Sequence, residues 1–317
     1  MNSKSVEYQY HNAPVPGGGF VTGFLFHPLA KGILYARTDI GGVYRYDFAK
    51  RNWKSLIDHV THLGKWETNP LSIALDRDDP ETLYIVAGDN REKSFLCISP
   101  DRGESFSYLP IPGPVHGNAP GRGTGERLQA DPYEKNLLYF GSMSRGLLRS
   151  EDRGKSWEPL RIRAPGGKEE LNIAFVWLDE GSGKTGQRCR TLVVATDGSG
   201  NADARNRRAP GLYISYDAGA SFAPMPGQPA PPARGNYPGF VGQRAAFENG
   251  FLYITLASVL NSWRGFAGYG CDMGGAQYGK VLRYTLDPEN RTLSGWQDIS
   301  PDAGLDCGFG GICADLK

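Results

Sequence analysis

The chain has almost no net charge and no long apolar run. Lys and Arg together number 35 and Asp and Glu together 34, which gives a formal charge of +1 over 317 residues. This balance provides no electrostatic reason to expect a nucleic acid or an anionic membrane as a partner. No stretch reaches the roughly 18 apolar residues that a membrane-spanning helix requires. The sequence therefore predicts neither nucleic-acid binding nor membrane insertion.

The sequence is also poor in cysteine and lacks the common motifs of metal and phosphate sites. Its five cysteines are scattered and form no CxxC pair. His59 and His62 have no second pair of nitrogen or sulfur ligands to complete a zinc site. The segment Gly181–Thr185 resembles a phosphate-binding loop but lacks the first glycine, which favours a hairpin turn. We therefore expect no metal and no cofactor.

Glycine and aromatic residues are abundant, with 43 Gly, 6 Trp, 16 Tyr and 14 Phe. This composition is typical of many short strands joined by tight turns. An apolar run that resembles a β-strand recurs about every 50 residues, beginning at Leu34, Leu83, Leu138, Leu192 and Leu252. Each run is preceded by another apolar segment and followed by a further β-like run. Such a repeat, with four short strands, is typical of a propeller blade.

The repeats thus predict an all-β fold, a β-propeller with five blades and the start of a sixth at Gly308–Asp315. A propeller must close on itself to cover the edges of its first and last blades. Because the repeats stop inside a sixth unit, we expect this chain to be an incomplete propeller.

A second pattern, Ser-x-Asp-x-Gly-x-Ser-aromatic, occurs three times, at Ser99–Phe106, Ser150–Trp157 and Ser215–Phe222. In this Asp-box the carboxylate is expected to accept backbone N–H groups and the glycine to adopt positive φ. The closing aromatic residue is expected to pack into the core. The pattern predicts a structural hairpin rather than a ligand site. The same place in the repeat, or its equivalent, holds three tryptophans that we expect in the core, Trp53, Trp157 and Trp296.

Two segments of the first repeat, Gly17–Gly23 and Leu34–Tyr46, resemble the N-terminal blade of glycoside hydrolase family 74. Gly121–Asp131 and the loop Pro226–Pro229 match the same family of xyloglucan-degrading enzymes. The resemblance implies two seven-bladed propellers with an open cleft for a β-1,4-glucan. It implies that residues 1–317 are a truncated N-terminal propeller and that the second propeller is absent. Family members are usually secreted, but this chain has no apolar signal segment, so either it stays inside the cell or its leader is missing from this version.

The resemblance also implies a reaction, inverting hydrolysis of xyloglucan-type β-1,4-glucans with two aspartates. The general base belongs to the Arg-Thr-Asp-Ile-Gly-Gly block and corresponds to Asp39, whereas the general acid belongs to the second propeller. An Asp at a strand end ahead of two glycines can be held rigidly and still face water, although it can also serve only to form the turn. Because the acid is absent, we expect the fragment alone to be weak or inactive. Strong turnover would point to an internal acid, with Asp197 or Glu126 the first to test.

Four further residues are candidates for contacts with a polysaccharide substrate. Trp66 and Trp263 lie in polar loops, where an exposed ring can stack on a sugar. Arg122 flanks a glycine run expected to reach the cleft, where either a hydroxyl contact or a structural salt bridge is open to it. Asp197 ends a strand at the same offset as Asp39 and could contact substrate or bond within a glycine-rich turn.

Two alternative hypotheses compete with the hydrolase. The first is a non-catalytic Asp-box propeller that binds a glycan or a protein partner, which a buried and hydrogen-bonded Asp39 would favour. The second is a sialidase-like enzyme, which requires an arginine triad and a Tyr–Glu nucleophile pair. That set cannot be assembled from this sequence.

Overall fold

A computed structural model of the protein describes residues 15, 17–57, 69–88, 93–119, 121–167, 169–170, 172–197, 210–230, 239–258, 278–301 and 309–313. These residues form five four-stranded antiparallel sheets, each built from four strands that are consecutive in sequence. The prediction of an all-β propeller is confirmed. Residues 309–313 contain no strand, and both the seven-bladed type and the sixth blade stay predictions.

The strands of the five blades follow the repeats read from the sequence. The first blade contains β1 (Val21–Phe26), β2 (Leu34–Thr38), β3 (Val43–Asp47) and β4 (Asn52–Ser55). The second contains β5 (Pro70–Leu75), β6 (Leu83–Gly88), β7 (Ser94–Ser99) and β8 (Ser107–Pro110). The third contains β9 (Leu128–Ala130), β10 (Leu138–Gly141), β11 (Leu147–Ser150) and β12 (Glu158–Leu160).

The fourth blade contains β13 (Ile173–Leu178), β14 (Leu192–Thr196), β15 (Gly211–Ser215) and β16 (Ala223–Pro224). The fifth contains β17 (Phe240–Glu248), β18 (Phe251–Ser258), β19 (Gly279–Leu286) and β20 (Leu293–Asp298). A short 3₁₀ helix, Glu180–Ser182, follows β13. The tight turn predicted here begins only at Lys184, which bonds Gln187 in both directions, because Gly181 and Ser182 belong to this helix.

The first strand of each blade lies nearest the propeller axis, since β5 contacts β9, β9 contacts β13 and β13 contacts β17. In every blade the second strand therefore ends on the rim where the first strand begins, because the strands are antiparallel. We call this the Asp39 rim, because Asp39 directly follows β2. The Asp-boxes join third to fourth strands and so lie on the opposite rim.

In the described residues the core consists of four apolar layers, each between two successive sheets, and a smaller fifth cluster of Ala36, Tyr44 and Trp53 in the first blade. The second strands are deeply buried, and every residue of β6, β10 and β14 is buried, as is every residue of the third strand β15. Strands covered on both faces read as nearly continuous apolar runs. This is why the Leu-containing runs were visible in the sequence as repeats.

The three Asp-boxes have the same geometry, which confirms the predicted hairpin. In the second blade the Asp101 carboxylate accepts the Ser105 N–H at 2.8 Å and the Ser105 hydroxyl at 2.5 Å. The Ser99 hydroxyl accepts the N–H of Gly103, whose φ is +90°. The boxes centred on Asp152 and Asp217 repeat these bonds. The closing aromatic residues are partly buried against the core layers.

These hydrogen bonds predict a dependence of stability on pH. Bonds from the Ser156 hydroxyl and N–H lower the pKa of Asp152 to about 2, against an unfolded value of about 3.9. A carboxyl with a depressed folded pKa contributes stability above its unfolded pKa and loses it as pH falls through the folded value. We expect the difference in unfolding free energy between wild type and Asp152→Asn to be largest near neutrality and to shrink between about pH 4 and pH 2. Urea unfolding at several pH values measures this, and a constant difference would contradict it.

The turn after β1 is capped by a histidine, where other blades use aspartate. His27 Nδ1 accepts the N–H groups of Leu29 and Ala30 at 3.2 and 2.8 Å. Its Nε2 lies 3.0 Å from the carbonyl oxygen of Asp76 in the second blade, to which it donates in the tautomer that leaves Nδ1 free to accept. The corresponding residues of the next three blades are Asp76, Asp131 and Asp179, whose carboxylates accept backbone N–H groups in the same turn.

We expect His27→Ala to lower the unfolding free energy by about 1–3 kcal/mol, because it removes a cap and a bond between two blades. His27→Asp should cost less, since aspartate restores the two backbone bonds and loses only the bond to Asp76. Urea denaturation of both variants tests the order. Equal losses would show that the cap contributes nothing and that only the contact between blades matters.

One of the three core tryptophans was predicted wrongly. Trp53 is buried and Trp157 is partly buried, as expected, but Trp296 is 47% exposed. Trp296 lies on β20, the outermost strand of the fifth blade, and its ring lies so close to Gly227 that a Cβ there would be 2.2 Å from the indole. Trp53 lies on an equivalent outermost strand, β4, but the ring of Tyr46 packs beside it at a centroid distance of 5.0 Å. The neighbouring side chains, and not the position in the repeat, therefore decide the exposure.

Candidate active site

Asp39 is fixed at the end of β2 by the backbone of the glycine-rich segment before β1. Its N–H donates to the Phe20 carbonyl at 3.0 Å, and the Phe20 N–H donates to Asp39 Oδ1 at 2.7 Å. Gly19 has a φ of +102°, and a Cβ there would lie 2.7 Å from Asp39 Oδ1. A Cβ at Gly41 would lie 1.9 Å from the Gly18 carbonyl oxygen. Glycine at these positions therefore allows the two segments to pack directly on the carboxylate.

The Asp39 side chain is only 7% exposed. The expectation that it faces open water therefore needs correction, because the glycine segment and Arg122 cover it. Arg122 Nη1 lies 3.4 Å from Asp39 Oδ2. The neighbouring side chains of Phe20 and Ile40 are both exposed, so the carboxylate lies just beneath the surface of the rim. The bond from Phe20 also fits the alternative in which Asp39 forms the turn.

Arg122 lies in the segment that joins β8 of the second blade to β9 of the third and contacts the first blade. Its side chain is 29% exposed and bonds the side chain of Asn118 as well as pairing with Asp39. Of the two roles left open by the sequence, the salt bridge is therefore present. A contact with a sugar hydroxyl stays a prediction.

A buried ion-pair cluster, the axial hub, lies beneath this segment and consists of Arg37, Glu126 and Arg244. Glu126 Oε1 accepts Arg37 Nε at 2.9 Å and Arg244 Nη1 at 3.1 Å. Its Oε2 accepts the Ser72 hydroxyl and the Ile73 N–H at 2.7 and 2.9 Å.

All five described blades contribute to the axial hub. Arg37 belongs to β2, Arg244 to β17, and Ser72 and Ile73 to β5, while Glu126 lies two residues before the start of β9. The Glu126 carbonyl accepts the N–H of Val176 in β13 at 3.0 Å. The hub therefore ties the inner strands together at the axis.

The surroundings of Glu126 oppose a role as general acid. Burial by itself would raise the pKa of Glu126, but the charges of Arg37 and Arg244 and the bonds from Ile73 and Ser72 lower it below its ordinary value. A group that stays ionised and has both oxygens bonded holds no proton to donate to a leaving group. Glu126 is therefore a poor candidate for an internal acid.

Asp197 ends β14 as Asp39 ends β2, and it too is buried at 5% exposure. Its N–H donates to the Asn172 carbonyl at 3.2 Å, the equivalent of the bond between Asp39 and Phe20. The Asn172 side chain accepts from Arg127, which is fully enclosed. The sequence was thus right that the two aspartates occupy equivalent places, in the first and fourth blades. A role of Asp197 toward substrate stays a prediction.

The two predicted sugar platforms, Trp66 and Trp263, lie outside the described residues and stay predictions. In the part of the chain that the structure describes, no group of three or more His, Cys, Asp or Glu side chains is arranged to hold a metal ion. No helix in the same part is long and apolar enough to cross a membrane.

Sequence reasoning missed Arg37, Glu126 and Arg244 as a cluster. A signal was present, because Arg37 and Arg244 are charged residues inside runs that otherwise read as buried strands. A buried charge requires a partner. The pattern could not identify that partner, since Glu126 is 89 residues from Arg37 and 118 from Arg244.

No family model matches the chain, but comparisons with individual proteins agree with one another. A probable oligoxyloglucan-reducing end-specific xyloglucanase of Neosartorya fischeri is 32% identical over 93% of this chain and 34% of its own length. A xyloglucanase of Acetivibrio thermocellus is 34% identical over 94% of this chain and 34% of its own length. The crystal structure of a family 74 xyloglucanase from Xanthomonas campestris superposes with a TM-score of 0.71 and 31% identity, over 98% of this chain and 42% of that one.

The resemblance to glycoside hydrolase family 74 is confirmed. A second crystal structure from family 74, of the Niastella koreensis enzyme, has a TM-score of 0.70 at 27% identity over 93% of this chain and 39% of that one. The chain spans about a third of the length of the curated relatives that it matches. The similarity to family 74 therefore concerns a propeller-sized part of those proteins.

Proposed function

We propose that this chain is the base-bearing part of an inverting glycoside hydrolase that cuts xyloglucan-type β-1,4-glucans, with Asp39 as general base. One observation carries the proposal: Asp39 is held by two backbone bonds to Phe20 at the rim of the first blade. The similarity of the whole chain to proteins named xyloglucanases supports the substrate class.

Inverting hydrolysis needs two carboxyl groups about 6.5–9.5 Å apart, on opposite sides of the glycosidic bond. One carboxylate takes a proton from water while the water oxygen forms a bond to the anomeric carbon. The other carboxyl group protonates the leaving oxygen while the glycosidic bond breaks. Asp39 Oδ1 is occupied by the Phe20 N–H, so Oδ2 is the oxygen that would accept the proton. We propose that a second propeller outside this sequence supplies the acid.

Substrate contacts complete the proposal. Trp66 and Trp263 would stack on sugar rings, and Asp197 would contact hydroxyl groups near the rim. Arg122 would either contact a hydroxyl group or act only on Asp39. No cofactor is needed for this reaction, since both proton transfers use carboxyl groups.

The stereochemistry of the product tests the reaction. We expect the complete gene product to release sugars from xyloglucan whose first anomeric form, followed by proton NMR, is inverted relative to the substrate. The Asp39→Asn form should bind the polysaccharide and release almost nothing. Retention of configuration, or equal hydrolysis by both forms, would contradict the proposal.

A non-catalytic propeller that binds a glycan is the second candidate, and the low exposure of the Asp39 side chain favours it. In that case the complete gene product would retain xyloglucan in an affinity gel and leave its chain length unchanged. Loss of chain length that depends on Asp39 would exclude this candidate.

A further inference from the structure

Arg122 is the cation that faces the outer oxygen of Asp39. The distance of 3.4 Å from Nη1 to Oδ2 is that of an ion pair and is longer than a strong N–H···O bond of about 2.9 Å. The guanidinium therefore attracts this oxygen without saturating it. Oδ1, in contrast, accepts a close bond of 2.7 Å from Phe20. The two carboxylate oxygens therefore have different partners. Oδ1 accepts a close hydrogen bond, whereas Oδ2 faces the charge of Arg122 at a longer distance.

The position of Arg122 is itself determined by a set of bonds to its own segment. Its N–H donates to the Ala119 carbonyl at 3.1 Å, and its side chain bonds Asn118. Its carbonyl oxygen accepts Arg37 Nη1 at 3.1 Å, and the carbonyl of Thr124 accepts Arg37 Nη2 at 2.8 Å. The segment is thus clamped on both sides of Gly123 by one guanidinium.

Arg37 and Asp39 are two residues apart at the end of β2, so their Cα atoms are held by the same strand. Arg37 is fully buried, and its Nε is paired with Glu126 in the axial hub. A buried arginine keeps its place only when its donors are satisfied. The Arg37 side chain therefore fixes the position of the Arg122 segment relative to β2, the strand that Asp39 follows.

We propose that Arg122 is a positioning residue for Asp39, clamped by Arg37, and that it orients Oδ2 toward the attacking water. This inference rests on the proposed function of Asp39 as general base. It differs from the assignment of Arg122 to substrate binding, because a positioning residue acts on the chemical step and a binding residue acts on affinity for substrate.

The split between kcat and KM on soluble xyloglucan distinguishes these roles in the complete gene product. We expect Arg122→Ala to lower kcat about 10- to 100-fold with little change in KM, since small errors in the placement of a reacting group cost factors of this size. Arg122→Lys keeps the charge and should recover most of kcat. Arg161→Ala is the matched control, because Arg161 forms an exposed pair with Glu169 at 3.2 Å and should leave both constants unchanged.

Two further variants test whether Arg37 holds the Arg122 segment in place and whether it acts on Asp39 through Arg122. Arg37→Lys keeps the charge opposite Glu126 but cannot bond the carbonyls of Arg122 and Thr124 together, so kcat should fall. The double variant Arg37→Lys/Arg122→Ala should be no slower than Arg122→Ala alone. Should Arg37→Lys fail to fold, the Arg122 variants still decide, since the Arg122 side chain is partly exposed and its replacement buries no unpaired charge in the axial hub.

The outcomes separate the inference from the function on which it rests. A raised KM with unchanged kcat in Arg122→Ala would overturn the inference in favour of substrate binding, and no change in either constant would overturn it outright. Full activity of Asp39→Asn would overturn the proposed function instead. A low rate of Asp39→Asn together with a normal kcat of Arg122→Ala would support Asp39 as the general base and contradict the positioning role of Arg122.

Discussion

Replacing Glu126 by alanine is expected to lower the free energy of unfolding by about 3–5 kcal/mol, because it leaves two buried guanidinium groups without their counter-charge. Arg37 is fully buried, and the Arg244 side chain is only 16% exposed. The variant also removes the acceptor of the Ser72 hydroxyl and the Ile73 N–H, which both donate to Glu126. Urea or thermal denaturation of the 317-residue chain measures the loss.

Two matched variants identify the cause of that loss. Glu126→Gln keeps the shape and some of the hydrogen bonds but removes the charge, so it should retain part of the stability. Glu158→Ala breaks an exposed ion pair with Arg149 and should cost less than about 1 kcal/mol. Equal effects of Glu126→Ala and Glu158→Ala would show that the axial hub does not hold the blades together.

Replacing Asp39 by asparagine is expected to lower kcat on xyloglucan by about 10²- to 10⁴-fold, the usual contribution of a general base. Asparagine has the size of aspartate and can still accept the Phe20 N–H, so the turn should persist. It cannot take a proton from water. Initial rates of the complete gene product, measured as reducing ends, give the ratio.

The unfolding curve of the same variant separates chemistry from folding. Asp39→Asn should unfold at nearly the wild-type denaturant concentration, since the backbone bonds of Phe20 remain. Asp78→Asn, at an exposed aspartate that forms an ion pair with Arg77, is a control that should change neither rate nor stability appreciably. A large loss of stability with a normal rate per folded molecule would assign Asp39 to the turn alone.

Much of the fold could be predicted from the sequence, because its signals are local. The Leu-Tyr runs recur since the second strand of each blade is covered on both faces, and each Asp-box closes through bonds between residues at most four apart, as between Ser105 and Asp101. The fate of Trp296 could not be predicted in this way. Its place in the repeat equals that of Trp53, but the exposure of each ring depends on which side chains pack beside it, as Phe24 and Tyr46 do at Trp53.

The candidate site, like the fold, could be predicted from the sequence only where it depends on neighbouring residues. The sequence alone placed Asp39 at a strand end ahead of glycines, next to a motif of family 74, since this depends on consecutive residues. Only the tertiary structure decided that Arg122 covers this carboxylate, that Arg37 clamps the segment of Arg122 and that Glu126 lies between two arginines. These contacts join residues 83 to 118 positions apart, and nothing in a local pattern specifies the partner of a buried charge. That partner is determined by the way five blades converge on one axis.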